Sequence, residues 1–308
     1  MAQTITRGKS IVLDGGDDLA LPQSTTRPPI HKLLLRDKRA TAGLIILCVI
    51  IFGAVFAPFI TPYDPQSQDY AFLEGPSIKG INGAERTHIL GTDDLGRDLF
   101  TRILYGTRIS LLVGVATVSI SMVLGVTMGL VAGYYGGWID TILMRYIDLQ
   151  WAFPNFIIAV YLVAVFGTGL TNVIVAISLA FLDDFARIAR SMVLQIREEE
   201  YVMAAQSVGA TNNWIILRHV LPNAIAPVIV QATLSVSYAI LGEAGLSFLG
   251  LGVKPTTPTW GLIVNSARTF ISRAWWLGIF PGMAIMITVL SINFLGDALR
   301  DILDVRND

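Results

Sequence analysis

The sequence is short of charge. Only 15% of its 308 residues are Asp, Glu, Lys or Arg, against about 25% in soluble domains. What charge there is leaves long gaps: residues 40–60, 109–139, 149–182, 220–242 and 274–296 contain none. Each gap reaches or exceeds the roughly 20 residues needed to cross a bilayer core, which excludes an ordinary soluble domain. Cysteine is reduced to Cys48, inside the first gap, so no internal disulfide can form. The three histidines, His31, His88 and His219, lie far apart and suggest no metal site. No clustered His, Cys or Ser–His–Asp set appears, which argues against a membrane-embedded enzyme. Gly8, Lys9 and Ser10 have the ending of a phosphate-binding loop, but the glycine required five residues earlier is Gln3 and no strand precedes it. ATP hydrolysis is therefore not expected of this chain.

Gly167, Thr168 and Gly169 interrupt the gap at 149–182, where a tight turn is cheap. The pattern predicts an all-α integral membrane protein with six transmembrane helices, at about 40–61, 108–134, 141–166, 171–190, 221–242 and 277–297. Lys32, Arg36, Lys38 and Arg39 precede the first span, which sets the N-terminus in the cytoplasm, and six spans return the C-terminus to the same side. The loop after the first span then lies outside, with seven acidic and four basic residues between 61 and 106. The loop after Glu243 is also external on this count, although it carries Lys254, Arg268 and Arg273. Four parts follow: a polar, partly disordered lead at 1–39 without the apolar core of a signal peptide, the first helix with its long outer loop at 40–105, a five-helix core at 106–297, and a charged tail at 298–308.

Inside this frame, small residues crowd the second span. Gly125 and Gly129, then Gly129 and Gly133, stand four apart, which lets a neighbouring helix come close. That neighbour is either in the same chain or in a second membrane subunit. Asp183, Asp184, Arg187 and Arg190 lie near the inner end of the fourth span. They are spaced to pair on one helix face and snorkel to water, or else Arg187 lines the inner exit of a path. Asp148 and Gln150 invite the same two readings. Trp275 and Trp276 suit an interfacial anchor. An ion-driven carrier tends to place ionisable groups or broken helices near the midplane; here the charges sit at helix ends.

The segment at about 196–222 is the most informative. Tyr201, the small pair Ala204 and Ala205, then Gly209 and Ala210, lead to Leu221 and Pro222 at the mouth of the next apolar run. Glu198, Glu199 and Glu200 suit a helix N-terminus, Gly209 allows a bend, and Pro222 fits the first turn of a span. A plain hairpin between two spans would explain the composition. The spacing resembles the coupling loop of bacterial ABC importer permeases, with Met203 where that signature has Glu and His219 where it has Ile. Three further segments carry the resemblance: Gly91, Asp93, Gly96, Arg97 and Asp98 before the second span; the glycine-rich run at 245–252 with Pro258, Trp260 and Gly261; and Gly296, Asp297, Arg300 and Asp301 at the end of the last span, which Phe280 and Pro281 open.

Over residues 40–304 the chain resembles the C-type permease subunit of dipeptide, oligopeptide and nickel ABC importers. The resemblance implies a type I ABC importer permease fold in a bacterial inner membrane. It implies a second, B-type permease subunit, two ABC ATPase subunits that hold ATP and Mg, and an extracytoplasmic substrate-binding protein as partners. No cofactor is implied for this chain and no nucleic acid as a partner. The carried solute is left open among peptides, nickel chelates, glutathione, opines and oligosaccharides.

Overall fold

The computed structural model describes residues 30–78 and 87–307, so the expectations for residues 1–29 lie outside the described residues. The described residues are helical throughout their ordered elements: α1 (Ile30–Leu34), α2 (Lys38–Val55), α3 (Ala57–Ile60), α4 (Leu99–Tyr135), α5 (Gly137–Trp151), α6 (Asn155–Phe166), α7 (Leu170–Ala180), α8 (Leu182–Ile196), α9 (Glu200–Ser207), α10 (Asn212–Ile215), a π-helical turn at Ile216–Val220, α11 (Leu221–Phe248), α12 (Trp260–Phe270) and α13 (Trp276–Asn307). Four helical stretches are long and apolar enough to cross a membrane: Lys38–Val55, Leu99–Tyr135, Asn212–Phe248 and Trp276–Leu303. The bent pair α5–α6 makes a fifth if counted as one span.

The expected third and fourth spans are thus both broken. Between α5 and α6 the chain turns by 93°, at Pro154, which cannot donate to a helix and forces its predecessor out of the helical region. Phe181 separates α7 from α8, leaving carbonyls of Leu179 and Ala180 without helical partners. Gln150 Nε2 donates to both, at 2.8 and 3.1 Å. That answers the demand for internal satisfaction of backbone groups in an apolar medium. The turn foreseen at Gly167–Gly169 is present, with φ of 87° and 142° at its two glycines.

The remaining spans run longer than their apolar cores. The second starts at Leu99 rather than 108, because the charges in its first turns are neutralised locally. Asp93 pairs with Arg97 at 2.6 Å and with the buried Arg102 at 3.3 Å. Asp98 caps α4 by accepting from the Thr101 backbone N–H (2.8 Å) and hydroxyl (2.6 Å), and its other oxygen meets His88 Nδ1 at 2.8 Å. Gly91 and Gly96 have φ of 85° and 72°. Side chains there would strike the carbonyls of Glu74 and Tyr70. The last span begins at Trp276, whose indole N–H donates to the Thr92 carbonyl (3.1 Å) and ties this knot to α13. Pro281 therefore lies inside α13 instead of opening it, and the expected tail continues the helix to Asn307. The fifth span begins at Asn212, ahead of Pro222. The loop expected to lie outside after Glu243 contains α12, an amphipathic helix too polar and too short to register as a span.

Packing centres on α4. Its small-residue stripe faces the same chain: a Cβ at Gly129 would lie 2.7 Å from Ala189 Cβ and 2.9 Å from the Arg190 nitrogen, and one at Gly133 would lie 2.8 Å from Val193 Cβ. Above them Ser121 donates to the Ser178 carbonyl (2.8 Å) and Ser178 donates to the Thr117 carbonyl (3.2 Å). On the other flank α11 packs on α4 and α13, and α13 on α2. There a Cβ at Gly296 would meet Leu234 at 3.1 Å. One end of the bundle carries α1, residues 197–220 and the end of α13; the opposite end carries residues 56–78 and 87–98 and α12.

Gly129→Ala should destabilise the protein by about 1–3 kcal/mol through overpacking against α8. Gly282→Ala, in α13 with open space around it, should be neutral or slightly stabilising. Thermal unfolding in detergent would distinguish them; equal midpoints would contradict the packing described.

Candidate functional site: the segment between the fourth and fifth apolar runs

The short helix α9 ends in a geometry that explains the spacing of its small residues. Gly209 has φ of 82°, its N–H reaches the Gln206 carbonyl (3.0 Å), and the Ala210 N–H reaches back to the Ala205 carbonyl (3.1 Å). This pair of bonds around a left-handed glycine is the Schellman motif. Ala205 and Ala210 are the two positions whose side chains approach one another in that motif, and both pack against the main apolar core. The interval from Ala205 to Gly209 and Ala210 is therefore the length of one helix ending.

Two buried anchors, Val202 and Ile215, hold this unit on the bundle. Around them an aromatic stack forms. His219 lies between Tyr201 (ring centroids 5.7 Å) and Trp214 (4.9 Å). Asn223 Nδ2 donates to the His219 carbonyl (2.6 Å) and to the Tyr201 hydroxyl (3.3 Å). Burial, and secondarily the Glu199 carboxylate, push the Tyr201 phenol up from its ordinary value, so it stays neutral. The substitution of His at 219 is thus part of the local packing.

Pro222 stands in the first turn of α11, as its sequence context suggested, but the chain enters that turn already helical. The helix is already running, and the π-helical turn lies directly before it, with the Leu221 N–H bonded to the Ile216 carbonyl. A regular turn would drive the proline ring into the carbonyl of Arg218; the wider turn avoids the collision. The segment is clamped to its neighbours at both sides. Arg197 Nη1 donates to the Gly133 carbonyl (2.9 Å), and the Tyr134 hydroxyl donates to Asn212 Oδ1 (3.1 Å). Outward, the unit leaves apolar groups uncovered: Val208 is 85% exposed and Leu217 65%, with Met203 and Trp214 about half exposed. Ala204 adds a thin, exposed place between them. Sequence reasoning named Tyr201, Ala204, Ala205, Gly209, Ala210, Leu221 and Pro222, but missed Val202, Trp214 and Ile215. Two buried aliphatics and a tryptophan in an otherwise polar stretch were the available signal.

The charged cluster on α8 is arranged differently from its spacing. Arg187 Nη2 meets Asp148 Oδ1 (2.8 Å) while its guanidinium lies 4.2 Å from the Trp151 ring. Arg190 makes a two-pronged pair with Asp140 (2.6 and 2.7 Å). Both partners are on α5. An i,i+4 pair within α8 contributes only about 0.5 kcal/mol, whereas a bidentate guanidinium–carboxylate pair is stronger and better oriented. Asp183 is fully buried at the α7–α8 break, 3.3 Å from Gln150 Nε2, and Asp184 is half-buried. These residues tie α5 to α8. At the end of α13, Asp297, Arg300 and Asp301 are exposed.

Residues 125–308 match the model of a family described as the binding-protein-dependent transport system inner membrane component, and residues 31–76 match the N-terminal TM domain of oligopeptide transport permease C. The chain belongs to this permease family. It is 46% identical over 275 residues to the dipeptide transport system permease protein DppC of Alkalihalophilus pseudofirmus, covering 89% of this chain and 88% of the relative. It is 44% identical over 270 residues to a di/tripeptide permease of Pseudomonas aeruginosa, covering 88% and 89%. The glutathione transport system permease protein GsiD of Pectobacterium atrosepticum is 43% identical over 279 residues, covering 90% and 89%. Among solved structures, an inward-facing MetNI methionine ABC transporter shares the fold, with TM-score 0.54 at 19% identity, over 65% of this chain and 96% of that chain. The chain is thus a permease subunit of an ABC importer, of the C type found with peptide systems, and its family is one of permeases rather than enzymes.

His219→Ala should loosen α9 without unfolding the spans. Hydrogen exchange over residues 200–211 should speed up, while residues 113–133 of α4 keep their protection; unchanged exchange in α9 would contradict the role of the stack.

Proposed function

We propose that this permease forms half of a translocation path for di- or oligopeptides, including glutathione, and that residues 200–217 are the seat of an ATPase subunit. The observation that carries the reading is the set of uncovered apolar side chains, Met203, Val208, Trp214 and Leu217, on a unit held by a Schellman motif and an aromatic stack. A rigid unit with exposed apolar side chains beyond the ends of apolar spans calls for a protein partner. Its tight attachment to α4 and α11 supports mechanical coupling. A partner that binds one arrangement of these helices better than another shifts the balance between them.

The full reading counts six spans, with α5–α6 and α7–α8 as interrupted third and fourth crossings. The basic residues before α2 support a cytoplasmic N-terminus, and with it a cytoplasmic coupling segment and C-terminus, in a bacterial inner membrane. A second, B-type permease, two ATPase subunits carrying ATP and Mg, and an extracytoplasmic binding protein complete the machine. The names of the relatives support short peptides as cargo. Arg187, which is partly exposed beside Asp148, is suited to face an inner exit, whereas Asp183 is closed off in this arrangement.

The test is ATP-driven uptake into liposomes containing the assembled complex, with labelled alanyl-alanine and glutathione as probes. Uptake of at least one should require ATP and persist when ion gradients are dissipated. Gly209→Arg, which strains a left-handed position by about 1–2 kcal/mol and places a bulky cation at the docking face, should abolish uptake while the chain still inserts. Normal uptake by that variant would sink the assignment of this segment.

A further inference from the structure

The glycine-rich run at 245–252 and the Pro258–Gly261 region have no part in the coupling segment, and they lie at the other end of the bundle. At their centre is a carboxyl that the reading above leaves without a role. Glu243, near the end of α11, has no exposed surface. Among the described residues no Lys, Arg or His comes within ion-pair distance of it. Its partners are hydroxyls from three elements. Ser247 of α11 donates to Oε1 at 2.7 Å and Ser110 of α4 lies 3.5 Å from Oε2. Thr259, the N-cap of α12, places its hydroxyl beside the carboxyl while accepting from the Leu262 N–H. A buried acid without a cation is costly, and a core built only for stability would place an apolar residue there.

The surroundings are fitted to backbone distance. A Cβ at Gly261 would lie 2.6 Å from Ala244 Cα, and one at Gly106 would lie 3.4 Å from the Trp260 ring. Trp260 Nε1 donates to the Ile103 carbonyl (3.2 Å), and Asn265 Nδ2 to the Ser247 carbonyl (3.1 Å). The Gly169 N–H reaches the Gly252 carbonyl (3.1 Å) and brings the α6–α7 turn to the same joint. The stretch Asn212–Phe248 is helical from end to end, about 55 Å at 1.5 Å per residue, with a π-helical turn at Ile216–Val220 and Pro227 inside α11, so the coupling segment and this joint occupy the two ends of one continuous helical stretch.

We propose that Glu243 is a positioning residue for transport: it locks α12 and the 249–259 loop to α11 and α4, so that displacement of α11 at the coupling end moves α12 at the other. The proposal rests on the importer reading given above. The lock is a hydrogen-bonding one, and a glutamine side chain satisfies it, because each surrounding hydroxyl can accept as well as donate. Alanine cannot. Ser110→Ala removes one arm, the hydroxyl beside the carboxyl, with little change in volume; Thr259→Val removes another and, with it, the α12 cap bond to the Leu262 N–H.

The experiment measures ATP turnover of the complex in liposomes, basal and then stimulated by the binding protein loaded with alanyl-alanine or glutathione. Glu243→Ala, Ser110→Ala and Thr259→Val should assemble and keep basal turnover within about twofold, while stimulation falls about fivefold or more for Glu243→Ala. The two single-arm variants should fall in between, and Glu243→Gln should retain most of the stimulation. Wild-type stimulation in the single-arm variants, or equal loss in Glu243→Gln and Glu243→Ala, would overturn the proposal; so would a parallel fall of basal and stimulated turnover. Should Glu243→Ala fail to assemble, the single-arm variants decide by the same criterion. Absence of stimulation in the unaltered complex would instead sink the importer reading, and this proposal with it.

Discussion

Because Gly125, Gly129 and Gly133 have no side chains, α4 meets α8 at backbone distance, and the rest of the assembly is arranged around that contact. The apolar effect does little to hold helices together in a bilayer, since lipid tails are as apolar as leucine; close packing and interhelical hydrogen bonds take over. The stripe supplies the first, and the crossed Ser121–Ser178 bonds supply the second. With α8 fixed, its arginines draw in Asp140 and Asp148 and set α5. Its C-terminus then delivers α9 to the end of α4, where Arg197 and Tyr134 hold residues 200–217 in place.

Much of this was legible in the sequence because its signal was blunt. Uncharged runs marked α2, α4, α11 and α13, and the two glycines at 167 and 169 marked the turn between α6 and α7. The segment at 196–222 was legible as a pattern before it was understood as a shape: Ala205, Gly209 and Ala210 are spaced by the hydrogen bonds of one helix ending. What escaped has physical reasons. Pro154 and the Phe181 break lie inside an apolar run whose composition does not reveal where the helix stops. Arg102 looked like a loop charge because its neutraliser, Asp93, is folded back from before the helix. The partners of Arg187 and Arg190 are tens of residues away, so spacing within α8 pointed to the wrong carboxylates. The amphipathic α12 was hidden in a stretch whose polar residues read as loop.

The two ends of Asn212–Phe248 show how one helix serves two tasks. At its start, a π-helical turn and Pro222 accommodate a change of backbone geometry beside an exposed apolar unit. Near its end, the Glu243 carboxyl meets the Ser110 hydroxyl of α4, and the Ser247 carbonyl accepts from Asn265 of α12. Between them, Ser237 bonds Asn293 of α13 at 2.8 Å, so the stretch is supported along its length. A permease subunit driven, as proposed above, by ATP hydrolysis in a partner needs such a continuous element between the partner's seat and the far side.

The central claim is that this chain works only as part of a larger machine. Its most direct test is affinity purification in mild detergent from the native membrane, with companions identified by mass. The account predicts a second permease and one or two kinds of ATPase chain in stoichiometric amounts. Isolation alone or as a homo-oligomer, with transport intact in liposomes, would contradict it.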